Sequence, residues 1–557
     1  MEHLHLLLLS LSLLITSTTT TSSSSTDFAS CLKSNNINNF TLSSDTTTSS
    51  SFNHFLNYSI QNLRFNPDSS PLKPVALVLP DTLRRLRATV LCSRRASLTI
   101  RLRSGGHSYE GLSYVSSGPD PFVVVDMMNL NRVRVSPETQ TAWVEAGATL
   151  GETYFAIHDS AGSRLGLSAG SCPTVGIGGH VGGGGFGLLS RKHGLAADNV
   201  LDAVVVDADS RVLDRTTMGE DAFWAVRGGG GGSWAAVYAW KLRLVPVPER
   251  VTGFVINRAG PTQLVTQLVH EWQRVAHGLP DEFYLSAFVG AGLPEYRGEP
   301  PGLSVTFKGF YQGGIREAVE VLAGQFPELG VEADECKEMS WIESIVYFSG
   351  LGEGRSVNDL KDRVMHDKKF FKAKSDYVRS PITYVDLYGA FEVLAEQPKA
   401  YLILDPYGGL MSRIESDAIP FPHRDGNIYA VQYLIEWRRE DDWRSDEYMK
   451  WLRLFYEYMR PFVSAGPRAA YVNYLDLDLG TTGSTGGGDR STDSMAEARR
   501  FGERYFLGNY DRLVRAKTAI DPDNVFCNPQ TIPPLPRGRS ASVASPEPSD
   551  VVLSYVD

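Results

Sequence analysis

Residues 170–187 read Gly-Ser-Cys-Pro-Thr-Val-Gly-Ile-Gly-Gly-His-Val-Gly-Gly-Gly-Gly-Phe-Gly, and half of them are glycine. Each glycine raises the entropy cost of ordering the chain, so this density does not serve stability. Some group must approach the backbone closely here, and a diphosphate or a flat ring system meets that requirement. The stretch is not interpreted as a Rossmann fingerprint, because no strand-to-helix turn is predicted around it.

Two further glycine runs accompany this stretch. Residues 101–111 read Arg-Leu-Arg-Ser-Gly-Gly-His-Ser-Tyr-Glu-Gly, a strand that enters a Ser-Gly-Gly turn where backbone N–H groups can reach an anion. Gly228–Gly232 follows Trp224-Ala-Val-Arg227. Apolar strand patterns flank every run, which excludes a low-complexity linker and favours a folded ligand-binding domain.

The rest of the chain falls into segments of different pattern. From residue 74 to 248, short strands alternate with helices, as at Val75–Leu79 and Phe122–Val125. From 249 to 465, helical spacing and strand-like segments such as Phe283–Val289 predict antiparallel strands backed by helices. The fold class expected for the chain is therefore α+β.

Composition narrows the class of protein. Of 557 residues, 42% are hydrophobic and 21% charged, and the net charge of −10 disfavours a nucleic acid or an acidic membrane surface as partner. Leu4–Ile15 is apolar and is followed by Ser/Thr residues, so residues 1–26 are interpreted as a signal peptide and junction, although Met1–His3 lacks Lys and Arg. A membrane-anchored terminus is the alternative. No other apolar stretch approaches ~20 residues, so no stable membrane insertion is expected.

Cysteines and glycosylation triplets support this interpretation. Five cysteines are an odd number, so in an oxidising compartment one of them is expected to bond to something other than cysteine. Asn39-Phe-Thr and Asn57-Tyr-Ser are candidate glycosylation sites on surface loops.

Seven motifs in order resemble the plant berberine bridge enzyme-like family, whose members are FAD-linked oxidoreductases with the vanillyl-alcohol-oxidase or PCMH-type fold. The resemblance runs from about Asp27 to Pro534. The motifs are Ser104–Gly111, Cys172–His180, Arg227–Ser233, Glu338–Trp341, Ile419–Arg424, Asn473–Gly480 and Ile532–Pro534.

The resemblance implies a domain arrangement. Residues 74–248 would form a two-subdomain FAD-binding domain, completed by 27–73 and by the C-terminal segment 466–534. Residues 249–465 would form the substrate domain. The Pro/Ser-rich tail 535–557 is expected to be disordered.

The resemblance also implies that FAD is held by two covalent bonds, from His107 to the flavin 8α-methyl and from Cys172 to flavin C6. The second bond explains the odd cysteine. Other residues implied at the cofactor are Ser104, Gly105, Gly106, Ser108, Gly170, Thr174, Val175, Gly178 and Gly179.

Cys31 and Cys92 match the family's disulfide. Cys336 and Cys527 could pair with each other, but two buried thiols are favoured. No metal site is expected.

The same resemblance assigns catalytic positions. Tyr474 matches the catalytic tyrosine, Tyr109 and Gln432 line the substrate face, and His180 lies by the flavin pyrimidine edge. A tyrosine acting as general base near neutral pH needs a pKa lowered from about 10.

Two departures bear on that base. Relatives acting on cinnamyl-type alcohols carry Tyr where this chain has Phe186 and Lys where it has Ala430, and Leu475 replaces the usual Arg. The Tyr and Lys cooperate to lower the pKa of the catalytic tyrosine, so their joint loss indicates a different kind of active site. Val175 matches the position where a small residue leaves room for dioxygen, which favours an oxidase.

The leading hypothesis is a secreted, monomeric cell-wall oxidase that transfers a hydride from a hydroxyl-bearing carbon of a mono- or oligosaccharide to FAD and reduces dioxygen to hydrogen peroxide. The alternatives are oxidation of a monolignol or ring closure of an alkaloid-like metabolite, and a flavin-bearing secreted protein without a catalytic role.

Overall fold

The computed structural model describes residues 26–45, 49–66, 73–116, 120–296, 302–482 and 492–536. The expected signal segment, nearly all of the expected C-terminal tail and most of the Ser/Gly-rich loop near residue 485 lie outside the described residues. The expected α+β architecture is confirmed, with three main sheets and helices against them.

The first sheet has the order β1-β2-β4-β3. Of its three parallel members, β2 is apolar throughout and β4 is apolar up to Asp126, as expected of strands covered on both faces, and all five residues of β4 are buried. Helix α3, capped by Thr82, links β2 to β3 and ends close to the disulfide. The strands are β1 (Phe40–Leu42), β2 (Ala76–Val78), β3 (Thr99–Arg103) and β4 (Phe122–Asp126), and the helices are α1 (26–34), α2 (Ser49–Tyr58) and α3 (Leu83–Arg95).

The second sheet is antiparallel, with the order β5-β6-β10-β8-β9, and a two-stranded pair of β7 and β11 lies beside it. Helix α4 follows β6 and begins with a capping box, in which Thr149 Oγ1 accepts from Glu152 N and Glu152 accepts from Thr149 N. The strands are β5 (Val133–Ser136), β6 (Thr141–Glu145), β7 (Leu165–Gly166), β8 (Val200–Val206), β9 (Val212–Leu213), β10 (Ala236–Arg243) and β11 (Val245–Pro246). The helices are α4 (Leu150–Ala161), α5 (Ile177–Gly182), α6 (Ser190–His193), α7 (Arg215–Met218) and α8 (Glu220–Val226).

The third sheet is the largest, seven antiparallel strands in the order β15-β12-β14-β13-β17-β18-β16. Its apolar residues on one face pack with those of α9, α10, α12 and α14 into one core. The opposite face of its central strands turns toward the first half of the chain. The strands are β12 (Val251–Ala259), β13 (Phe283–Gly290), β14 (Ser304–Tyr311), β15 (Lys337–Met339), β16 (Phe370–Val378), β17 (Ala400–Pro406) and β18 (Tyr429–Trp437). The helices are α9 (Thr262–Val275), α10 (Ile315–Gln325), α11 (Trp341–Phe348), α12 (Tyr384–Ala395), α13 (Leu410–Arg413) and α14 (Ser445–Tyr458).

The C-terminal segment returns to the first half of the chain. It carries α15 (Thr492–Phe506) and α16 (Tyr510–Ile520). Phe526 forms a β-bridge with Ile100 of β3. The buried Lys517 Nζ donates to Ser233 O at 2.6 Å and to Phe526 O at 2.8 Å, and it pairs with Asp521. The two ends of the chain therefore build one unit around β3.

The expected disulfide is present, but one of the two cysteines expected to be buried thiols is not buried. Cys31 and Cys92 form a disulfide. Neither Cys336 nor Cys527 is in a disulfide. Cys527 is buried, but Cys336 is only half-buried because it follows a short exposed turn at residues 333–335, which corrects the expectation of two buried thiols.

The two candidate glycosylation triplets lie in different structural settings. Asn39 is exposed just before β1, and its Nδ2 donates to Leu79 O at 3.2 Å. Asn57 lies in the last turn of α2 with its Oδ1 buried, and Ser59 is buried, so the expectation of a surface loop is wrong for this second triplet.

Across the described ranges, none of the helices has both the length and the apolar character that a bilayer crossing requires.

Candidate functional site

The three glycine runs pack directly against one another. A Cβ on Gly105 would lie 2.3 Å from Gly176 N, and one on Gly182 would lie 2.7 Å from Gly231 Cα. Backbone therefore approaches backbone at these positions, which the sequence alone did not indicate. Gly179 is different, since a Cβ there would have no protein atom within 4 Å. We call residues 104–111, 170–187 and 228–232 the glycine wall.

A cavity of about 870 Å³ lies between the glycine wall and the seven-stranded sheet. The second boundary, which we call the sheet wall, consists of alternate side chains of β13, β16, β17 and β18, as the two-residue period of a strand requires. These side chains are Tyr284, Phe288, Phe371, Tyr401, Ile403, Asp405, Gln432, Leu434 and Glu436.

The cavity fits a dinucleotide-sized cofactor. Its volume is near the upper end of the roughly 300–1,000 Å³ of ordinary ligand pockets. Three buried N–H donors line it without an acceptor in the described part of the chain, namely Arg101 Nε and the indole N–H groups of Trp234 and Trp240. Buried donors are normally satisfied, so these groups suit a bound molecule rich in oxygen and nitrogen acceptors.

The two expected attachment residues meet at one hydroxyl. His107 Nε2 lies 2.8 Å from Thr174 Oγ1, and Cys172 Sγ lies 3.7 Å from the same oxygen. Burial, together with the charge of Lys368, lowers the pKa of His107 to about 4, so the imidazole is neutral and keeps a nucleophilic lone pair. Burial raises the pKa of Cys172. Both side chains line the cavity, so a single flat ring at Thr174 could contact both.

Other residues expected at the cofactor shape the glycine wall with their side chains. Ser104 Oγ donates to Ala146 O at 2.6 Å, and Ser108 Oγ accepts from Leu112 N at 2.9 Å. Gly106 has a φ of +72°, and a Cβ there would collide with Ser59 O. The two serine side chains thus hold the turn, and Ser104, Gly106 and Ser108 all line the cavity. Gly170, Val175 and Gly178 also line the cavity.

His180 is held as a neutral ring. Its Nε2 accepts from Gly170 N at 3.0 Å, and burial lowers its pKa to about 4. Asn473 Nδ2 donates to His180 O at 3.0 Å and so attaches the loop of Tyr474 to the glycine wall. The expected contribution of His180 to a reduced flavin is therefore that of a neutral dipole rather than of a cation.

Three expected catalytic residues form one group. Gln432 Nε2 donates to Tyr109 Oη at 2.6 Å, and the Tyr109 and Tyr474 rings stack with centroids 5.3 Å apart. Phe371 packs edge-on against Tyr109 at 5.2 Å. The stacked rings position Tyr474 over the cavity, where its hydroxyl has no partner among the described residues.

The pKa of Tyr474 moves in the direction opposite to that needed for a base. Burial raises it well above the ordinary value of 10, and the neighbouring Tyr109, Asp405 and Tyr471 raise it further. Tyr474 therefore stays protonated at neutral pH and can donate a hydrogen bond but cannot accept a proton.

The structure places the two departing residues close to the same group. Phe186 stacks on Tyr407 at 5.4 Å and also contacts Tyr284. Ala430 pairs across the sheet with Asp405 of β17 and Tyr377 of β16. Its methyl side chain supplies no cation, which is consistent with the raised pKa of Tyr474.

Two features of the site were missed from the sequence. One is the buried pair of Tyr284 and Asp405. The other is an ion cluster in which Lys372 contacts Glu110 and Asp476, while Lys374 contacts Asp476 at 2.6 Å. Alternating lysines inside an apolar strand-like run, Phe370-Phe-Lys-Ala-Lys, were a signal for the second.

Comparisons with known proteins agree with this site. Residues 74–216 match the family described as "FAD binding domain", and 470–533 match "Berberine and berberine like". A berberine bridge enzyme-like protein, D-2, from Nicotiana tabacum is 51% identical over 497 residues, which cover 86% of each chain.

Two solved structures are similar over the whole fold. A berberine bridge enzyme variant in complex with (S)-reticuline has a TM-score of 0.85 and 47% identity, and covers 92% of this chain and 99% of its own. A Phl p 4 variant described as a glucose dehydrogenase has a TM-score of 0.84 and 37% identity, and covers 92% of this chain and 100% of its own.

Proposed function

The chain belongs to the berberine bridge enzyme-like family of FAD-linked oxidoreductases, and from that premise we propose that it is a secreted oxidase of sugar hydroxyl groups carrying FAD on His107 and Cys172. The single observation that carries the proposal is the shared cavity. The glycine wall holds His107 and Cys172 at Thr174, and its Tyr109 contacts Gln432 of the sheet wall and Tyr474 at the same cavity.

FAD supplies an acceptor for the substrate's hydride and, once reduced, a donor of two electrons to dioxygen. The protein contributes binding and orientation. The glycine wall holds the cofactor through close backbone approach, and neutral His107 together with Cys172 provides the two nucleophiles for attachment. Tyr474, protonated, is placed to donate to the substrate oxygen, and Gln432 fixes Tyr109 beside it.

A polar rim supports a carbohydrate substrate. Residues 349–369 border the cavity with charged and polar side chains, the kind of surface that pairs with many hydroxyl groups. These side chains are Arg355, Asp359, Asp362, His366, Asp367 and Lys369. The similarity to a protein described as a glucose dehydrogenase supports the same class.

An aromatic alcohol or alkaloid-like substrate is the second candidate. The sheet wall presents Phe288, Phe371 and Tyr401 to the cavity, and these rings could stack on a planar ligand. The structural similarity to a berberine bridge enzyme variant that binds (S)-reticuline supports this alternative.

Substrate class is tested by incubating the purified holoenzyme with cello-oligosaccharides, galacturonides, glucose and coniferyl alcohol while hydrogen peroxide is measured. Peroxide with a sugar supports the proposal. Bleaching of the flavin by coniferyl alcohol, with none by any sugar, contradicts it.

The attachment is tested by viewing a denaturing gel under ultraviolet light. Flavin fluorescence should stay with the chain in His107→Ala and in Cys172→Ala, since each keeps one bond, and should leave the chain in the double variant. Loss of flavin from the unaltered protein would show that neither bond forms.

A further inference from the structure

Two carboxylates of the sheet wall face the cavity, and they differ in their partners. Glu436 accepts from Tyr401 Oη at 2.9 Å and pairs with Lys369 Nζ at 2.8 Å. Asp405 accepts only from Tyr284 Oη, at 2.5 Å, and no Lys, Arg or His of the described chain lies within 4 Å of it. Glu436 is thus neutralised by a cation, whereas Asp405 is not.

The second oxygen of Asp405 is unpaired within the described part of the chain, at a residue that lines the cavity. Asp405 is 9% exposed and borders the cavity from β17. Its Oδ2 has no hydrogen-bond partner in the described part of the chain. The residue opposite it on β18 is Ala430, which ends at Cβ and therefore leaves that oxygen uncovered.

Asp405 also lies near the proposed catalytic phenol. Its charge is among the causes that raise the pKa of Tyr474, and it acts in the same direction on Tyr471 and Tyr407. The site therefore brings together an unpaired carboxylate and a phenol that remains protonated. That arrangement is the reverse of the one in which a cation turns a tyrosine into the base.

We propose that Asp405 is the catalytic base that removes the substrate's hydroxyl proton, with Tyr474 donating a hydrogen bond to the same oxygen; this rests on the proposed function. In the reaction the substrate O–H bond breaks, its proton passes to Asp405 Oδ2, and its electron pair becomes the second bond of the product C=O. The adjacent C–H bond breaks, and its hydride, with both electrons, passes to the cofactor.

The protonation behaviour of Asp405 suits this role. Burial raises its pKa to about 6, and the hydrogen bond from Tyr284 opposes that rise. A base with a pKa near the working pH combines availability with proton affinity. The phenols around it have pKa values raised above 10 and so do not ionise in this range; they are Tyr284, Tyr377, Tyr407, Tyr471 and Tyr474. The charge of Arg424 acts on Tyr407.

The direction in which the rate should change with pH follows from the ionisation of Asp405. Asp405 accepts a proton only when ionised, so the rate of flavin reduction should rise as pH increases through about 6 and then level off. Tyr284→Phe removes the hydrogen bond that stabilises the ionised carboxylate, so the pKa of Asp405 should rise. The rising limb of the pH–rate profile should then move to higher pH.

The test compares Asp405→Asn with Glu436→Gln, a matched amide change on the same wall. Anaerobic flavin bleaching is followed with the sugar that works best in the panel, or with coniferyl alcohol if no sugar works. Asp405→Asn should slow bleaching by about 100-fold or more, abolish the limb near pH 6 and leave KM within a few-fold. Glu436→Gln should keep the limb. An unchanged limb in Asp405→Asn overturns the proposal.

A measurement without substrate separates this proposal from the proposed function. Infrared spectra of the holoenzyme, recorded across about pH 5 to 7, should show a buried carboxyl that loses its proton. The signal should vanish in Asp405→Asn and persist in Glu436→Gln. If it is missing from the unaltered protein, Asp405 is not the base, whatever the substrate. If it is present but only coniferyl alcohol bleaches the flavin, the substrate class alone is wrong.

Discussion

One wall of the cavity is built from backbone and the other from side chains. The glycine wall is made of backbone, and its loops touch at distances that exclude a Cβ, as between Gly105 and Gly176. The sheet wall is made of side chains that alternate along strands whose backbones are hydrogen-bonded to one another in one sheet. Loops whose backbones touch one another cannot change shape, so they can bind a ligand of only one shape. The side chains of a strand can be substituted without altering the sheet. The cofactor site is therefore fixed by the fold, and the substrate site is adjustable.

The ion cluster that joins the two walls gives the largest expected effect. Lys372 of β16 contacts Glu110, next to Tyr109, and Asp476, two residues after Tyr474. Burial alone would lower the pKa of Lys372, but the charges of Asp476 and Glu110 raise it. Lys372→Met should lower the free energy of unfolding by about 3–5 kcal/mol, because it leaves the buried Glu110 without its close cation and Asp476 with Lys374 alone.

The control for this change is Lys399→Met. Lys399 pairs with Asp441 at 2.6 Å in an exposed position, so its loss should cost less than about 1 kcal/mol. Denaturant unfolding of both variants measures the difference. Equal losses would mean that the cluster does not hold the walls together.

A change within the glycine wall comes next. In Gly176→Ala the new Cβ would lie 2.2 Å from Gly105 N, so the two loops must separate. We expect a loss of about 1–3 kcal/mol in the free energy of unfolding, with weaker retention of flavin. Gly324→Ala is the matched control, since it lies in α10 with open space around it and should stabilise the chain slightly. If Gly176→Ala unfolds like the unaltered protein, close backbone contact is not what fixes this wall.

The smallest effect is expected where a side chain of the glycine wall, Tyr109, meets Gln432 of the sheet wall. Tyr109→Phe removes the acceptor of Gln432 Nε2 but keeps the ring stacked on Tyr474. Loss of one such hydrogen bond is worth about 0.5–1.5 kcal/mol, so flavin reduction should slow by about tenfold at most while the melting temperature changes little. Tyr388→Phe, which loses an exposed contact with Gln263, should change neither quantity. A large loss of stability in Tyr109→Phe would show that this side chain supports the fold as well as the site, so the substrate site would be less adjustable than proposed.

The same contrast explains what the sequence could predict. The glycine density at residues 170–187 indicated that some group approaches the backbone closely, and the expected strand at Phe283–Val289 is present as Phe283–Gly290. The α+β fold was predicted from the strand and helix patterns and the disulfide from the resemblance, and both are confirmed. Each of these features depends on residues close together in the sequence or on motifs that occur in a fixed order.

The parts that were missed depend on contacts between distant residues. Tyr284 and Asp405 are 121 positions apart, and neither stands in a recognisable motif. Ala430 could be noted as a missing lysine, but the uncovered oxygen of Asp405 follows only from the pairing of β17 with β18. In the same way, the helix at Ile177–Gly182 was not expected, because glycine is a poor helix former and tertiary packing holds it in place.

The β-bridge between Ile100 and Phe526 has a consequence for how the protein is made. A ribosome adds roughly 5–20 residues per second, so β3 waits tens of seconds for its C-terminal neighbour to be synthesised. Lys517, which ties the same segment to Ser233, arrives equally late. The glycine loops are complete long before the residues that enclose them. The cofactor pocket is therefore among the last features of the chain to exist, and loading of FAD belongs to the period after synthesis has ended.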